Sequence, residues 1–467
     1  MLPIPSILRN LAVFASGEIG ARCLGFFATA LLTRRLGPES FGIIGFATAI
    51  SGYLALAVNG GLNEVGGREV ARRPEAAPEI YAGVLKIRIV IGSVAVCLLA
   101  LISVLLPITP TTRVVVVLCG LSFFSLAADP TWVFRAIEHP LAAAPQVIAQ
   151  MAYLAGVVFL VHDPGDVIRV PLVVFGGELA AAVIVGAPLL FKGLPKATWA
   201  FGRSLLRHAR FLGAGRVLRT VVITFDVVLL GFLAQPVDLG LYTAAYRFCF
   251  LLMAIAVAVN AAYLPLFTRA AAEAPTRFRR EVSAALSTSL IIGAPLVTGS
   301  IVIARPLLRL LFGPAFEAGA PAFMLLVAGM GFFFVHSLLA NVFLVIHQTR
   351  AQAGIYAIAA TANVLANVVL IPRYGIVGAA TTTLFAEGLT AVLGLIILRR
   401  LGVWLNLLPL VIPGAAAALM AVMLLVIAPN WPVPAQVVIG GLLYASTLAA
   451  VVAVRKRMRS TEFRWPI

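Results

Sequence analysis

The chain has 467 residues, of which 61% are hydrophobic and 11% charged. An ordinary soluble domain is about half apolar and about a quarter charged, and here the apolar residues form blocks of about twenty or more, the length a hydrocarbon layer about 30 Å thick asks of a helix, so a water-soluble globule is excluded. The formal charge is +17, but the basic residues are scattered among short breaks instead of gathered on one domain with interleaved aromatics, which excludes a nucleic-acid partner and points to a membrane.

In chain order the apolar runs predict spans near residues 10–33, 41–63, 80–106, 112–135, 141–162, 170–191, 209–233, 239–268, 281–312, 319–346, 351–371, 375–398, 406–428 and 435–454. The expected fold is an all-α integral membrane protein with about fourteen transmembrane helices. The first run continues past Leu32 with Glu18 and Arg22 inside it, so it is expected to be a retained helix and not a cleaved signal peptide. Cys23, Cys97, Cys119 and Cys249 all lie inside apolar runs and are expected to be small core residues, with no disulfide framework and no thiolate metal site. The breaks are too short, at most about twenty residues, to hold a separate soluble domain.

With the N-terminus in the cytoplasm, 22 Lys or Arg fall on inner segments and seven on the outer side or its rim: Arg34, Arg35, Arg113, Arg169, Arg305, Arg309 and Arg373. This bias satisfies the positive-inside rule for an even number of spans with both termini cytoplasmic. Merging or splitting one span would reverse every later loop.

The chain also repeats itself. Residues 36–47 read LGPESFGIIGFA and residues 234–245 read AQPVDLGLYTAA, sharing P-x-x-[FL]-G-[IL]-x-x-x-A at a shift of 198 residues. A second echo pairs Glu178 of FGGELAAAV in the sixth span with Glu387 of FAEGLTAVL in the twelfth. An offset of six spans keeps orientation, so the two halves are expected to be related by an axis along the membrane normal.

Ionisable groups near mid-membrane cost roughly 2.5 to 3.5 kcal/mol each even on lenient insertion scales, so they mark function or compensation. They are Glu18 and Arg22 in the first span, Glu178 in the sixth, Arg216, Arg219 and Asp226 in the seventh, Arg247 in the eighth and Glu387 in the twelfth. Glu18 and Arg22, four residues apart, can pair on one face. In the seventh span Arg216 and Arg219 outnumber the acid Asp226, and guanidinium groups facing one lumen would suit a polyanionic headgroup, because each offers a planar, permanently charged fork to phosphate oxygens. Lys86 and Arg88 lie nearer the inner end of the third span and are expected to snorkel to the headgroups. Asn260, Asn341, Asn363, Asn367 and His336 are expected to join helices. Glu178 and Glu387, read as carboxylates without a visible partner, are the candidates for proton or sodium coupling. The sequence has no GxxxxGK[ST] loop and no metal-ligand spacing, so no cofactor is expected and energy must come from an ion gradient, the membrane potential or substrate supply.

LLTRRLGPESFGIIGFATAI with NGGLNEVGGREVAR resembles the opening of the polysaccharide biosynthesis family of oligosaccharide flippases, within the multidrug, oligosaccharidyl-lipid and polysaccharide exporter (MOP) superfamily. DVVLLGFLAQPVDLGLYTAAYRF, LFGPAFEAGAP and IPRYGIVGAATTTLFAE resemble later signatures in the same order. The resemblance implies two pseudo-symmetric six-helix lobes around a V-shaped cavity, residues 1–200 and 201–402, with two further helices and a basic tail over 403–467. It implies an alternating-access flippase, not an enzyme, that moves undecaprenyl-pyrophosphate-linked oligosaccharide, of O-antigen type, from the cytoplasmic to the periplasmic leaflet of a bacterial inner membrane beside polysaccharide assembly proteins. The family places lumenal arginines against pyrophosphate, which by position fall on Arg22, Arg247 and either Arg216 or Arg219. Two alternatives stand beside it. One is a lipid II flippase or multidrug exporter of the same superfamily, the latter disfavoured by the arginine excess; the other is a membrane-embedded polymerase or glycosyltransferase, which would show a large extramembrane loop.

Overall fold

The computed structural model describes the backbone of residues 4–194, 199, 225–404, 408–428 and 430–461, and side chains over 17, 20–192, 194, 199, 225–404, 411–428, 430–451 and 453. All regular structure among the described residues is helical. Contacts divide the chain into two compact units, Met1–Thr243 and Ala244–Ile467.

The first unit opens with α1 (Ile4–Asn59), which carries the first two predicted spans and is kinked between them at Gly37, φ 71° and ψ 175°, beside Pro38. Only glycine holds that backbone without strain, and proline then restarts a helix whose first N–H groups need no partner. The amphipathic α2 (Leu62–Arg72) follows where only a basic loop was expected. It lays Leu62, Gly66 and Val70 against Ile80 and Tyr81 of α3 (Ala77–Leu105) and the Trp132 ring. The fourth span, read from its apolar run as one helix, is broken into α4 (Pro110–Cys119), α5 (Ser122–Ala128) and α6 (Thr131–Ala136). The second break sits at Asp129–Pro130, where the side chain of Asp129 accepts from the N–H and hydroxyl of Thr131 at 3.0 and 2.5 Å. Then come α7 (Ala144–Leu160), α8 (Arg169–Gly193) and α9, described over 225–233. Helix α1 packs on α7, α4 and α3, and α3 on α8 and α5.

The unit boundary falls inside α10 (Pro236–Glu273). The second unit continues with α11 (Pro275–Val302), the short α12 (Ala304–Phe312), α13 (Ala320–Val345), α14 (Thr349–Arg400), α15 (Leu408–Ile427) and α16 (Val433–Thr461). The predicted ninth span, 281–312, stops early: Arg305 and Arg309 give α12 a charged face while Leu307, Leu308 and Phe312 are buried, a pattern for lying along an interface. Helix α14 repeats the design of α1, carrying two predicted spans around Gly375, φ 54°. Helix α13 packs on α14 and α11, α11 on α15, and α15 on α16.

Ten helical segments among the described residues are long and apolar enough to cross a membrane. Two of them, Gly20–Arg72 and Thr349–Arg400, each cover two predicted spans, the shorter apolar helix Val411–Ile427 falls on the thirteenth, and the seventh lies partly outside the described residues. The chain is thus a multi-pass membrane protein, with the count of fourteen remaining an expectation. Of the four cysteines, Cys119 and Cys249 are buried as expected, but Cys23 and Cys97 are exposed on their helices, so they are not core residues; all four are free thiols.

Candidate functional site

In the first unit, polar chemistry gathers around the broken fourth span. Arg88 of α3 is 0% exposed. It donates to Asn59 Oδ1 at 2.6 Å, to Asn63 Oδ1 at 2.8 Å and to the Leu126 carbonyl at 3.5 Å. Asp129 and Glu64 supply negative charge within electrostatic reach. The expected snorkelling of Arg88 is therefore wrong, because the turn joining α1 to α2 and the end of α5 surround the guanidinium with acceptors. Lys86 does reach outward, with Nζ 3.4 Å from the Leu194 carbonyl. Tyr81 donates to the Ala128 carbonyl, so the break after α5 leaves carbonyls, those of Leu126 and Ala128, that α3 side chains satisfy. On the other side of α5, Ser125 Oγ donates to Glu178 Oε2 of α8 at 2.5 Å.

In the second unit, Glu387 of α14 is hydrogen-bonded through Oε2 to His336 Nε2 of α13. The reading of Glu178 and Glu387 as carboxylates without a partner is corrected in both cases. Their partners come from the fourth and tenth spans, 53 and 51 residues away in sequence, beyond the reach of a local pattern. Asn260 and Asn341 join helices as expected, Asn260 Nδ2 donating to Ser337 Oγ at 2.8 Å and Asn341 Nδ2 to the Asn260 carbonyl at 3.1 Å, whereas Asn367 Nδ2 donates to Asn363 Oδ1 at 2.9 Å within α14 and that bond joins no two helices. Among the described residues, no group of three or more His, Cys, Asp or Glu side chains is gathered as metal ligands.

The repeated motifs meet each other. A Cβ on Gly42 would run into the Pro236 carbonyl oxygen, and a Cβ on Gly240 into that of Pro38. The shift of 198 residues carries Pro38 onto Pro236 and Gly42 onto Gly240, so these are one contact made twice, the reciprocity of a two-fold relation. Gly45 faces Thr243, its own equivalent under that shift, as a pair on the axis must. Beside this crossing, Asp226 of α9 is 2% exposed and accepts from Tyr242 Oη at 2.5 Å and from the Val227 N–H at 2.8 Å.

Of the predicted phosphate-binding arginines, Arg22 on α1 in the first unit and Arg247 on α10 in the second are both exposed. Arg216, Arg219 and the side chain of Glu18 lie outside the described residues. Sequence reasoning misassigned Arg88 and overlooked Asn59, Asn63 and Ser125. The signal available was NGGLN itself, a helix-breaking Gly pair flanked by amides at the end of the predicted second span.

These features define a class: an all-helical, multi-pass membrane protein with the fold of MOP-superfamily transporters. The chain superposes on the lipid II flippase MurJ in an inward closed conformation with a TM-score of 0.79, at 15% identity over 96% of this chain and 100% of that one. It also superposes on an inward-facing multidrug resistance MATE transporter with a TM-score of 0.67, at 13% identity over 82% and 94%. Within that class the chain belongs to the polysaccharide biosynthesis protein family, whose sequence pattern matches residues 7–271, more than half of its length. It is 24% identical over 226 residues to a probable flippase, AglR, of Haloferax volcanii, covering 47% of each chain. It is 23% identical over 249 residues to a putative O-antigen transporter of Escherichia coli K12, covering 51% of this chain and 60% of that one. The match thus spans about half the length of the curated relatives.

Proposed function

We propose that the chain is a flippase that carries undecaprenyl-pyrophosphate-linked oligosaccharide from the cytoplasmic to the periplasmic leaflet by alternating access, driven by an ion gradient. The observation that carries this reading is the pair of exposed arginines, Arg22 and Arg247, on membrane-spanning helices of a polysaccharide biosynthesis protein. A guanidinium offers a diphosphate a planar, permanently charged fork that binds it bidentately. Arg216 and Arg219 belong to the same proposed site, as do Glu18 and Asp226 as charge partners. Glu178 and Glu387 are the proposed coupling carboxylates. Relatives described as a flippase and an O-antigen transporter support the cargo class. The proposal extends to lobes at 1–200 and 201–402 with helices over 403–467, cytoplasmic termini, an inner-membrane location and neighbouring polysaccharide assembly proteins.

The likeness to a lipid II flippase favours a second cargo with the same diphosphate-linked prenyl carrier. The test replaces Arg22, Arg219 and Arg247 by Ala and by Lys, singly and together, and measures rescue of strains lacking an O-antigen-type or a lipid II flippase, with membrane abundance in parallel. Single Ala variants should lose at least tenfold in rescue at unchanged abundance, with Lys recovering part of it. Full rescue by the triple Ala variant overturns the diphosphate site, and the strain that is rescued identifies the cargo.

A further inference from the structure

Helices of the second unit share a core at one end. Phe267 of α10, Phe278 of α11, Phe343 of α13 and both Ile355 and Leu398, from opposite ends of α14, belong to one buried cluster. Basic residues flank these positions: Arg269 follows Phe267, Arg277, Arg279 and Arg280 surround Phe278, Arg350 stands between Phe343 and Ile355, and Arg399 and Arg400 follow Leu398. The cluster therefore draws seven arginines to one end of the unit, all of them exposed. Arg277 pairs with Glu273, and Arg399 lies 4.4 Å over the Trp404 ring. Among the described residues no protein group accepts from Arg269, Arg279, Arg280, Arg350 or Arg400.

Orientation does not require this surplus. These segments are the ones expected on the cytoplasmic side, and the positive-inside rule counts Lys and Arg with little regard to acids. The equivalent segments of the first half, 64–79 and 135–138, satisfy it with four arginines among five glutamates, whereas 269–281 and 347–350 hold five arginines and two glutamates. Of the paired segments, only those of the second half carry excess positive charge.

We infer that this end of the second unit is a docking surface for anionic phospholipid of the phosphatidylglycerol type. The charge is complementary to a phosphodiester, whose oxygens suit a guanidinium fork, and basic clusters just outside membrane helices attract anionic leaflets. Thr276, Arg277, Arg280 and Glu281 line a crevice of about 390 Å³ there. In it two guanidinium groups and a hydroxyl meet phosphate oxygens, and the carboxylate accepts from a glycerol hydroxyl. On the membrane side, Leu266 and Ile396 are exposed one turn from Arg269 and Arg400 and offer acyl chains an apolar wall. Trp404 is exposed as well, and tryptophan suits the headgroup layer. A soluble phosphate would use the arginines but not the wall. A zwitterionic lipid would use the wall but bring its own cation to the arginines. The occupant is a lipid around the protein, distinct from the cargo proposed above.

The experiment places the full chain in phosphatidylcholine nanodiscs with a trace of spin-labelled phosphatidylglycerol or spin-labelled phosphatidylcholine and compares the motionally restricted fractions. One variant combines Arg269→Gln, Arg280→Gln and Arg350→Gln, and a second changes the same positions to Lys. A third, in the first half, combines Arg68→Gln, Arg72→Gln and Arg73→Gln. Wild type should prefer phosphatidylglycerol about fivefold or more, since each basic group near a headgroup contributes about that factor. The second-half Gln variant should fall below about twofold, while the Lys variant and the first-half variant keep most of the preference. Should the second-half Gln variant fail to accumulate, Arg280→Gln alone decides, with a loss of about twofold expected. No preference in wild type, a preference that these Gln changes leave intact, or an equal loss in the first-half variant overturns the surface. Displacement of the labelled lipid by millimolar inorganic diphosphate at constant ionic strength also overturns it and assigns the arginines to a soluble phosphate. Transport enters none of these readouts, so failure here leaves the flippase reading untouched.

Discussion

Arg88 serves three protein acceptors with one guanidinium, and its removal would strand them. Arg88→Met would leave Asn59 Oδ1, Asn63 Oδ1 and the Leu126 carbonyl without their donor and Asp129 and Glu64 without their nearby cation, at a cost of about 3 kcal/mol or more. The expected outcome is a thermal transition in detergent lowered by several degrees, with Arg88→Lys restoring only part because an ammonium cannot reproduce the fork. An unchanged transition would show that water already satisfies the cluster. Nothing near Arg88 in the chain announces its burial. Its amide partners lie 25 and 29 residues away, across the turn from α1 to α2, so charge and hydropathy alone suggested an outward lysine-like role. Glu178 and Glu387 show the converse: hydropathy located both acids within helices, but only the packed helices disclose whether a serine or a histidine reaches them.

At the scale of elements, the breaks that glycine and proline write into the chain were legible, though not all of them were read. LGP at 36–38 and RYG at 373–375 mark the kinks of α1 and α14, because a positive φ demands glycine. The division of the fourth span into α4, α5 and α6 falls at Gly120 and at Asp129–Pro130, signals that were present in the run but passed over because it was taken as one apolar block. Arg35, counted from the sequence as an outer-rim charge, instead donates to the carbonyls of Val157, Val158 and Val161 at 2.7, 2.8 and 2.5 Å, capping α7 from α1. The reciprocal motif crossing yields a prediction at this scale. Gly42→Ala and Gly240→Ala each drive a methyl group into a backbone carbonyl that cannot move aside without parting the helices. In a cysteine-free background carrying Phe46→Cys with Phe232→Cys, whose parent rings lie 5.3 Å apart, either glycine change should lower cross-linking several-fold, and by similar amounts. Equal yields with and without the changes would mean that the crossing gives way easily.

For the whole molecule, orientation follows from loop charge, since an excess of Lys and Arg holds a loop on the cytoplasmic side. Single cysteines at 72 and 277 should react with a membrane-impermeant thiol reagent only after permeabilisation, and one at 309 in intact cells. Labelling of 277 from outside would invert the second half of the topology. The membrane class, the order of the spans and the family were all legible, because a twenty-residue apolar run and a motif order are properties of the chain by itself. The polar sites were not, because they are assembled from helices that meet only after insertion.

The two-fold crossing also bears on how the sequence can change over time. Gly42 is held not by its own motif but by the carbonyl of Pro236, and Gly240 by that of Pro38. Each copy of the motif thus guards the glycine of the other, and because both contacts are to backbone carbonyls they hold whatever side chain stands at 38 or 236. Relatives that keep the crossing should therefore keep glycine at both 42 and 240, a pairing 198 positions apart that is readable without any structure.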